Sequence, residues 1–318
     1  KANSESFMTD EHHNPLASGH GAHSHAPASF NRAFLIGIVL NVTFVIVELI
    51  AGWHADSLAL LADAGHNLSD VAGLLLAWGA VLMGRRIPDQ HYTYGWRRAS
   101  ILAAFVNAMV LLIAMGSLIW EAAHRLQSPV PIAGGVVMIV AAIGVVINSM
   151  TAALFMSGRR HDINIRGAYL HMAADAVVSM GVLCAGLIYM WQGWLWLDAV
   201  VSLVIAMVII FGTWGLFRES VHLLFDGVPE GIDLAAVAAC LRSQTGVTEV
   251  HDLHVWAMST TETALTAHLV MPGGHPGDMV MEAMAHVLAH EFAITHPTLQ
   301  IEFEKHDHGC QMAFPNVI

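Results

Sequence analysis

Long apolar runs separated by short polar segments fill the chain from residue 33 to residue 217. A membrane-spanning helix needs about 20 mostly apolar residues. Six runs meet this requirement: 33–53, 57–83, 99–120, 131–156, 167–191 and 195–217. The pattern therefore predicts an all-α membrane domain of six transmembrane helices at 31–218. The alternative is a large soluble protein with buried helices, but six consecutive runs of this length make it much the weaker interpretation.

The distribution of arginine predicts the orientation of these spans. One side of the predicted topology carries Arg32, Arg85, Arg86, Arg97, Arg98, Arg159, Arg160, Arg166 and Arg218. Only Arg125 falls in a loop on the opposite side. Because positively charged loops stay in the cytoplasm, we expect both termini to be cytoplasmic. No secretory signal is evident, so we expect the first span to act as the insertion signal.

Composition narrows the classes of function. The chain is 56% hydrophobic and only 12% charged, whereas about a quarter of residues are charged in soluble proteins. The formal net charge of −12 argues against a nucleic-acid partner. Cys184, Cys240 and Cys310 lie in three separate segments and suggest no disulfide framework. Histidine, the commonest metal ligand, is abundant with 21 residues.

Two predicted spans share a His-x-x-x-Asp pattern. The second span holds His66 and Asp70, and the fifth holds His171 and Asp175. Residues four apart lie on one helix face, so each pair can point at one ion. Two imidazoles and two carboxylates form a tetrahedral set that suits Zn²⁺ rather than Cu⁺, Mg²⁺ or Ca²⁺. The alternative is that each pair is a structural hydrogen bond or a proton relay.

The surroundings of this set raise two further questions. Asp63, on about the same face as Asp70, is either a supporting residue on the metal's entry path or a capping and packing residue. At 1.5 Å per residue, the second-span pair lies ~17 Å and the fifth-span pair ~27 Å from the outer ends of their spans. Helix tilt would have to absorb this difference for the pairs to meet.

The remaining polar segments predict one small domain and two tails. For residues 219–304 we expect an αββαβ order: helices at 234–241 and 278–292, strands at 250–258 and 264–271, and a last strand. That last strand alternates apolar Leu299, Ile301 and Phe303 with polar residues.

Both tails contain histidine. Residues 1–30 should be disordered, and 305–318 form a C-terminal tail. Either tail could bind metal weakly or be inert. The histidines concerned are His12, His13, His20, His23, His25, His306 and His308.

Several motifs resemble the cation diffusion facilitator family, in its bacterial zinc-efflux branch. They are Ser57-Leu-Ala-Leu-Leu-Ala-Asp63-Ala-Gly-His66-Asn-Leu-Ser-Asp70, Thr93-Tyr-Gly95-Trp-Arg97-Arg98, Asp198-Ala and Val250-His251-Asp-Leu-His254-Val-Trp256. The resemblance runs from about residue 30 to residue 304. It implies a homodimeric Zn²⁺/H⁺ antiporter in the bacterial inner membrane. It also implies a cytoplasmic, metallochaperone-like (ferredoxin-like) domain through which, with the membrane helices, the subunits pair.

The resemblance also marks two accessory metal sites that this chain preserves in part. Asp89 and His91 lie in the loop where some members bind a second ion, but Tyr92 and Trp96 stand where those members have histidines. In the C-terminal domain, His251 and His268 match regulatory zinc ligands, with His254 nearby. The family's third ligand is missing, and Ile301 or Glu302 stands about there.

The ligand types also suggest a mechanism. Metal ligation needs neutral imidazole and ionised carboxylate, so protons compete with zinc, and this competition can drive antiport by alternating access. Zinc is thus expected as a transported substrate and a regulatory ligand, with no cofactor.

Two other functions remain open. An intramembrane zinc enzyme would need an open metal position and a general base, and His-Glu-x-x-His is absent. A non-transporting metal sensor would leave six spans with buried ligands unexplained.

Overall fold

The computed structural model describes residues 32–156 and 163–304, and apolar helices dominate its first part. The helices are α1 Arg32–Ala55, α2 Leu58–Gly84, α3 Ala99–Gln127, α4 Gly134–Phe155, α5 Ile163–Gln192 and α6 Leu197–Leu224. Five of them are long and apolar enough to cross a membrane, and the described part of α1 adds the apolar segment Asn41–Ala55. The chain is therefore a multi-pass membrane protein, as the apolar runs predict.

Helix ends differ most from the prediction where charged residues continue a helix beyond its apolar core. α3 continues to Gln127 rather than ending near residue 120. Arg125 therefore lies in the last turn of α3, and its assignment to a loop was wrong. Its guanidinium contacts the Asp56 carboxylate at 2.7 Å and the Glu121 carboxylate at 3.0 Å. These two carboxylates neutralise the one arginine that the topology placed on the outer side.

Buried polar contacts hold the start of α2 against the start of α6. Ser57 is the N-cap of α2, and its hydroxyl accepts a hydrogen bond from the Leu60 amide. The same hydroxyl donates to buried Asp198 of α6, which also accepts from the Leu58 amide at 2.8 Å. A carboxylate at a helix N-terminus is stabilised by the free amides and the helix dipole there. Asp198 thus ties two helices together at one end of the bundle.

The bundle packs as helix pairs around a common apolar core. α4 lies along α5, α3 lies along α6, and α2 contacts both α3 and α6. Gly144 of α4 allows the closest approach, because a Cβ there would lie 2.8 Å from Phe44 Cζ and 3.1 Å from Ser179 Oγ. The absence of a side chain at Gly144 brings α1, α4 and α5 together beside Ser179.

The C-terminal domain has the predicted αββαβ order. It comprises α7 Leu234–Arg242, β1 Glu249–Ala257, β2 Thr263–Val270, α8 Asp278–Phe292 and β3 Ile294–Glu302. β2 is the central strand, antiparallel to β1 and parallel to β3. The fold class predicted from the sequence is confirmed: an all-α membrane domain followed by a small α+β domain.

Two details of the sheet depart from simple alternation. A bulge interrupts the β1–β2 pairing between His251 and His254, and Asp252 within it has a left-handed φ of 51°. On β3, Leu299 and Ile301 pack on the domain core as predicted, but Phe303 is 61% exposed. The last residue of the β2–β3 ladder is Glu302, so Phe303 lies beyond the paired strand.

Ion pairs and a small apolar cluster join the domain to the membrane helices. Arg97 pairs with Glu262 of the β1–β2 turn, and Arg98 pairs with Asp226 after α6. Ile101, Leu223 and Ala257 are buried together beneath these pairs. The α2–α3 connection therefore lies at the end of the bundle nearest the C-terminal domain.

The capping contact at Ser57 can be tested by stability. We expect Ser57→Ala to lose about 1 kcal/mol of stability, because it removes a helix cap and one hydrogen-bond donor to buried Asp198. Thermal unfolding in detergent measures the loss as a lower midpoint. Ser117→Ala is the matched control, since that exposed hydroxyl donates to the Ala114 carbonyl of its own helix. Equal midpoints for the two variants would contradict this role of Ser57.

Candidate metal centre

The two His-x-x-x-Asp pairs meet between α2 and α5. His66 Nε2 lies 3.6 Å from Asp70 Oδ2 and 3.9 Å from Asp175 Oδ1. His171 Nε2 lies 3.2 Å from Asp70 Oδ2 and 3.7 Å from Asp175 Oδ2. Each histidine is therefore near both carboxylates, one from its own helix and one from the other.

The structure removes the difference in depth that residue counting predicts. α2 has 27 residues and α5 has 30, whereas about 20 suffice to cross the hydrocarbon. The ends of these helices therefore do not mark the same depth in the membrane. Counting residues from the predicted ends misjudged the relative depth of the two pairs. The side chains of both pairs are within contact distance of each other.

The donor atoms suit a small divalent cation. Ligand atoms of His66, His171 and Asp175 all lie within 4.8 Å of one another. Asp70 adds a second carboxylate beside both imidazoles. The buried Asp175 Oδ2 has no hydrogen-bond partner among the described residues. Two nitrogen and two oxygen donors on helices that approach from different sides can form a tetrahedral shell around Zn²⁺.

Exposure of these side chains increases toward the C-terminal domain. Along α5, Ser179 is fully buried, Asp175 is 4% exposed at its side chain and His171 is 41% exposed. Along α2, exposure rises from 1% for Asp63 to 36% for the Asp70 side chain. Both series run from the far end of the bundle toward the end at which Arg97 and Arg98 contact the C-terminal domain. The cluster is therefore open on the side of that domain and closed on the other.

Apolar packing closes the far side. The buried residues there include Ala59, Leu60, Val137 and Val182, which belong to one core cluster. The cavity lined by Ala59, Val137 and Val182 has a volume of only about 10 Å³, at the lower limit of what a single water molecule requires. This packing separates the ligand cluster from the end of the bundle that carries Asp198.

Asp63 lies outside the ligand cluster. Its carboxylate accepts a hydrogen bond from Ser179 Oγ at 3.0 Å and is in hydrogen-bond contact with the Glu48 carboxyl of α1. Glu48 was visible in the sequence as an acidic residue in an apolar span, but its partner could not be identified there. Asp63 thus belongs to a separate buried group rather than to the metal shell.

The loop candidates Asp89 and His91 do not form a cluster with other ligands. Asp89 Oδ1 accepts hydrogen bonds from the backbone amides of His91 and Tyr92 at 2.7 and 2.8 Å, and these bonds stabilise the turn. The rings of Tyr92 and Trp96 contact each other at a tilt of 39°, with centroids 4.6 Å apart. Among the described residues, the groups of possible ligands include neither Asp89 nor His91.

The C-terminal domain holds a second group of ligand atoms. His251 Nε2 lies 3.0 Å from Glu302 Oε2, and His268 Nδ1 lies 2.8 Å from Glu302 Oε1. The sheet register explains this, because His251 pairs with His268 across β1–β2, and His268 pairs with Gln300 on β3. Glu302 is two residues beyond Gln300 and so shares its face of the sheet.

The remaining histidine of this domain pairs inside the bulge. His254 Nε2 lies 3.0 Å from Asp252 Oδ1, and Asp252 Oδ2 lies 3.7 Å from His268 Nε2. The bulge, whose position alternation alone does not reveal, turns Asp252 toward the two histidines. Asp252 and Glu302 were not among the predicted ligands, although Glu302 was noted at the position of the family's third one.

The charge state of Glu302 favours metal ligation. Burial alone would raise the pKa of Glu302, but the hydrogen bonds and charges of His251 and His268 outweigh burial and lower this pKa below its ordinary value. The carboxylate is therefore ionised at neutral pH, which is the form that binds metal. The histidine-rich segments 1–30 and 305–318 lie outside the described residues.

These features define a class before any relative is considered. A multi-pass helical membrane domain with paired histidine and aspartate ligands in its interior, joined to a small α+β domain, is the architecture of a metal-ion transporter. Comparison with known protein families supports this assignment as a metal-ion transporter. The cation efflux transmembrane domain matches residues 34–225, and the cytoplasmic domain of cation efflux proteins matches residues 229–304.

Individual relatives cover nearly the whole chain. The zinc transporter ZitB of Escherichia coli is 35% identical over 91% of this chain and 93% of the relative. The metal cation efflux system protein CzcD of Cupriavidus metallidurans is 35% identical over 90% of each chain. The cadmium, cobalt and zinc/H⁺-K⁺ antiporter of Bacillus subtilis is 32% identical over 90% of this chain and 93% of the relative.

A solved structure resembles the C-terminal part. It is the metal-bound C-terminal domain of the CzcD transporter from C. metallidurans, 38% identical, covering 22% of this chain and 99% of that one, with a TM-score of 0.21. The sequence relatives and the two domain matches establish the identity at the level of the family. The chain belongs to the cation efflux, or cation diffusion facilitator, family of metal transporters.

Proposed function

We propose that this protein exports Zn²⁺ in exchange for H⁺ through a site formed by His66, Asp70, His171 and Asp175. The observation that carries the proposal is the convergence of the two pairs: each Nε2 lies within 4 Å of carboxylate oxygens from both helices. A helix-spanning ligand set can be assembled or dispersed when α2 and α5 move relative to each other. Such a set suits transport better than permanent storage of an ion.

Protons drive the cycle by competing for the ligands. Zinc binds neutral imidazoles and ionised carboxylates, so its binding displaces protons and acid displaces zinc. In a state open toward the C-terminal domain the site loads zinc, and in a state open to the opposite side external protons release it. Rocking of helices around the site supplies this alternation. The exposure gradient supports a loading state for the present conformation.

The membrane orientation follows from charge. The arginines before α3 lie at the end of the bundle that contacts the C-terminal domain, and positively charged segments remain in the cytoplasm. We therefore place the C-terminal domain and both termini in the cytoplasm of a bacterial cell, with the helices in its inner membrane. The match to a cation efflux cytoplasmic domain supports this side, and we propose that two copies of this domain pair in a homodimer.

Regulation by zinc is a second role that one observation favours. His251, His268 and Glu302 offer three ligand atoms within 4.8 Å of one another on one face of the sheet. The domain contacts the membrane helices through Arg97 and Arg98, so an ion bound to its sheet can influence the bundle. We assign this cluster as a regulatory zinc site that responds to the cytoplasmic concentration.

Loss of either transport carboxylate should abolish transport. We expect Asp70→Ala and Asp175→Ala to reduce zinc uptake into inverted membrane vesicles to the background, because each removes one of two anionic ligands. Asp278→Ala, an exposed aspartate in the first turn of α8, is the control and should transport normally. Size-exclusion chromatography checks that the variants remain folded. Full uptake by either transport-site variant would contradict the assignment.

The imidazoles should determine which metal is carried. We expect His66→Asp to retain transport but to admit Mn²⁺ better relative to Zn²⁺, since a carboxylate in place of imidazole weakens the preference for ions that bind nitrogen. Parallel flux measurements with the two ions give the ratio. His54→Asp, at the exposed end of α1, should leave it unchanged. An unaltered ratio for His66→Asp would mean that His66 is not a ligand.

The regulatory site can be examined once the transport site is disabled. In a variant that carries both Asp70→Ala and Asp175→Ala, we expect Glu302→Gln to weaken the remaining zinc binding roughly tenfold or more. Losing a metal ligand costs more affinity than losing a hydrogen bond that supports a ligand. Calorimetric titration of the full-length protein measures the affinity. His286→Ala, on the exposed face of α8, provides the comparison. If it weakens binding as much as Glu302→Gln does, the cluster is not the site.

A further inference from the structure

Two buried carboxyl groups beside the metal centre, those of Glu48 and Asp63, have too few hydrogen-bond donors to stabilise two negative charges. Glu48 of α1 is fully buried. Its Oε2 accepts a hydrogen bond from Asn67 Nδ2 at 3.3 Å. Its Oε1 is buried and accepts no hydrogen bond from an N–H or hydroxyl donor of the described residues. A buried carboxylate oxygen without a donor is costly unless a proton is present.

The second member of the group is Asp63 of α2. It is 1% exposed, and its carboxyl is in hydrogen-bond contact with that of Glu48. An ionised carboxylate has no hydrogen to donate. A hydrogen bond between two carboxyl groups therefore requires one proton, held by one oxygen and donated to the other. Two like charges this close in a low-dielectric interior cannot both persist.

Among the described side chains, the neighbours of the pair supply no positive charge to replace that proton. Asn67 and Ser179 are neutral donors, to Glu48 and Asp63 respectively. The charged group that acts on both members is Asp175, which is also acidic. Arg125 of α3 forms ion pairs with Asp56 and Glu121 rather than with Glu48 or Asp63. The contacts of the pair therefore point to a proton as its counter-ion.

We propose that Glu48 and Asp63 form a proton-binding site, distinct from the metal ligands, whose shared proton leaves when zinc binds and returns when zinc departs. The inference rests on the proposed Zn²⁺/H⁺ exchange and adds a proton to it. Neither carboxyl belongs to the compact ligand group of His66, His171 and Asp175. The pair is nevertheless adjacent, because Asp63 lies one turn before His66 and its partner Ser179 one turn beyond Asp175.

Charge couples the two sites. With no zinc bound, Asp175 and the pair would repel if all carboxyls were ionised, so the pair keeps its proton. Zn²⁺ beside Asp175 adds two positive charges, which makes a second negative charge on the pair tolerable. The O–H bond then breaks, its electron pair remains on the carboxylate oxygen, and the proton passes to water on the side to which the site is open. In the opposite state, an external proton rebinds and helps to expel zinc.

The pair lies where such a proton would be protected from premature exchange. Asp63 and Ser179 are at the closed side of the ligand cluster, away from the C-terminal domain. Gly144 permits Phe44 and Ser179 to pack tightly there. A proton held at this position reaches the open side only past the metal ligands, so its movement is tied to their occupancy.

The decisive measurement is the number of protons released per zinc ion bound. Purified full-length protein is titrated with Zn²⁺ in weakly buffered detergent solution containing a pH indicator. Glu48→Gln has the shape of a protonated glutamate, and its amide can donate to Asp63 permanently. We expect Glu48→Gln, and likewise Asp63→Asn, to release about one proton fewer per zinc than wild type and to show a correspondingly shallower pH dependence of zinc affinity.

A matched control is available in the same bundle. Asp198 is also a buried carboxyl in a span, but Ser57 and the Leu58 amide satisfy it without a proton. Asp198→Asn should therefore release as many protons per zinc as wild type. Equal release by wild type, Glu48→Gln and Asp63→Asn would overturn the proton site while leaving Zn²⁺/H⁺ exchange intact. Absence of any proton release from wild type would instead overturn the proposed exchange.

A measurement on wild type alone covers the case in which the variants do not fold. The infrared difference spectrum between the zinc-bound and zinc-free protein should show loss of the carbonyl band of a protonated carboxylic acid, since zinc binding ionises the pair. A spectrum without that loss contradicts the proposal whatever the variants do.

Discussion

The cost of placing carboxylates inside a helical bundle is the constraint on which the rest of this structure depends. Each buried aspartate or glutamate must receive a compensating donor or cation. Asp198 meets the free amides at the start of α2, and this contact fixes α2 against α6. Asp70 and Asp175 face two imidazoles and are left able to bind a divalent cation. A fixed partner makes Asp198 a structural residue, whereas the proposed transport role of Asp70 and Asp175 requires a partner ion that can leave.

The same constraint underlies the proposed exchange of zinc for protons along one pathway. Metal ligands that must lose protons already connect the two ions. As the proposed proton site, Glu48 and Asp63 would extend this connection by one turn of helix toward the closed end of the bundle. Zinc would then affect the proton in two ways: by direct competition at its own ligands and by charge at a neighbouring pair. The packed far side, where Gly144 draws three helices together, would close this pathway to both ions in the present conformation.

Much of the fold and of the candidate site could be predicted from the sequence, since hydrophobic length and helical periodicity are local properties. The spans, the αββαβ order and the i, i+4 pairs at His66 and His171 are examples. Apart from the meeting of the two His-x-x-x-Asp pairs, contacts between distant segments were beyond reach. Counting along helices misjudged the depth of the two pairs, and alternation could not reveal the bulge at Asp252. The partnership of Glu48 with Asp63, like that of Arg125 with its two carboxylates, depends on tertiary packing.

The most direct test of the central claim is zinc flux in proteoliposomes that contain only this protein, with and without a pH gradient. Zinc-loaded interiors correspond to the cytoplasmic side when the C-terminal domain faces inward. An acidic exterior should then accelerate zinc exit several-fold, with inward proton movement detected by an enclosed pH dye and both fluxes absent from Asp175→Ala vesicles. Zinc exit at the same rate with and without the gradient, and without proton movement, would contradict the account.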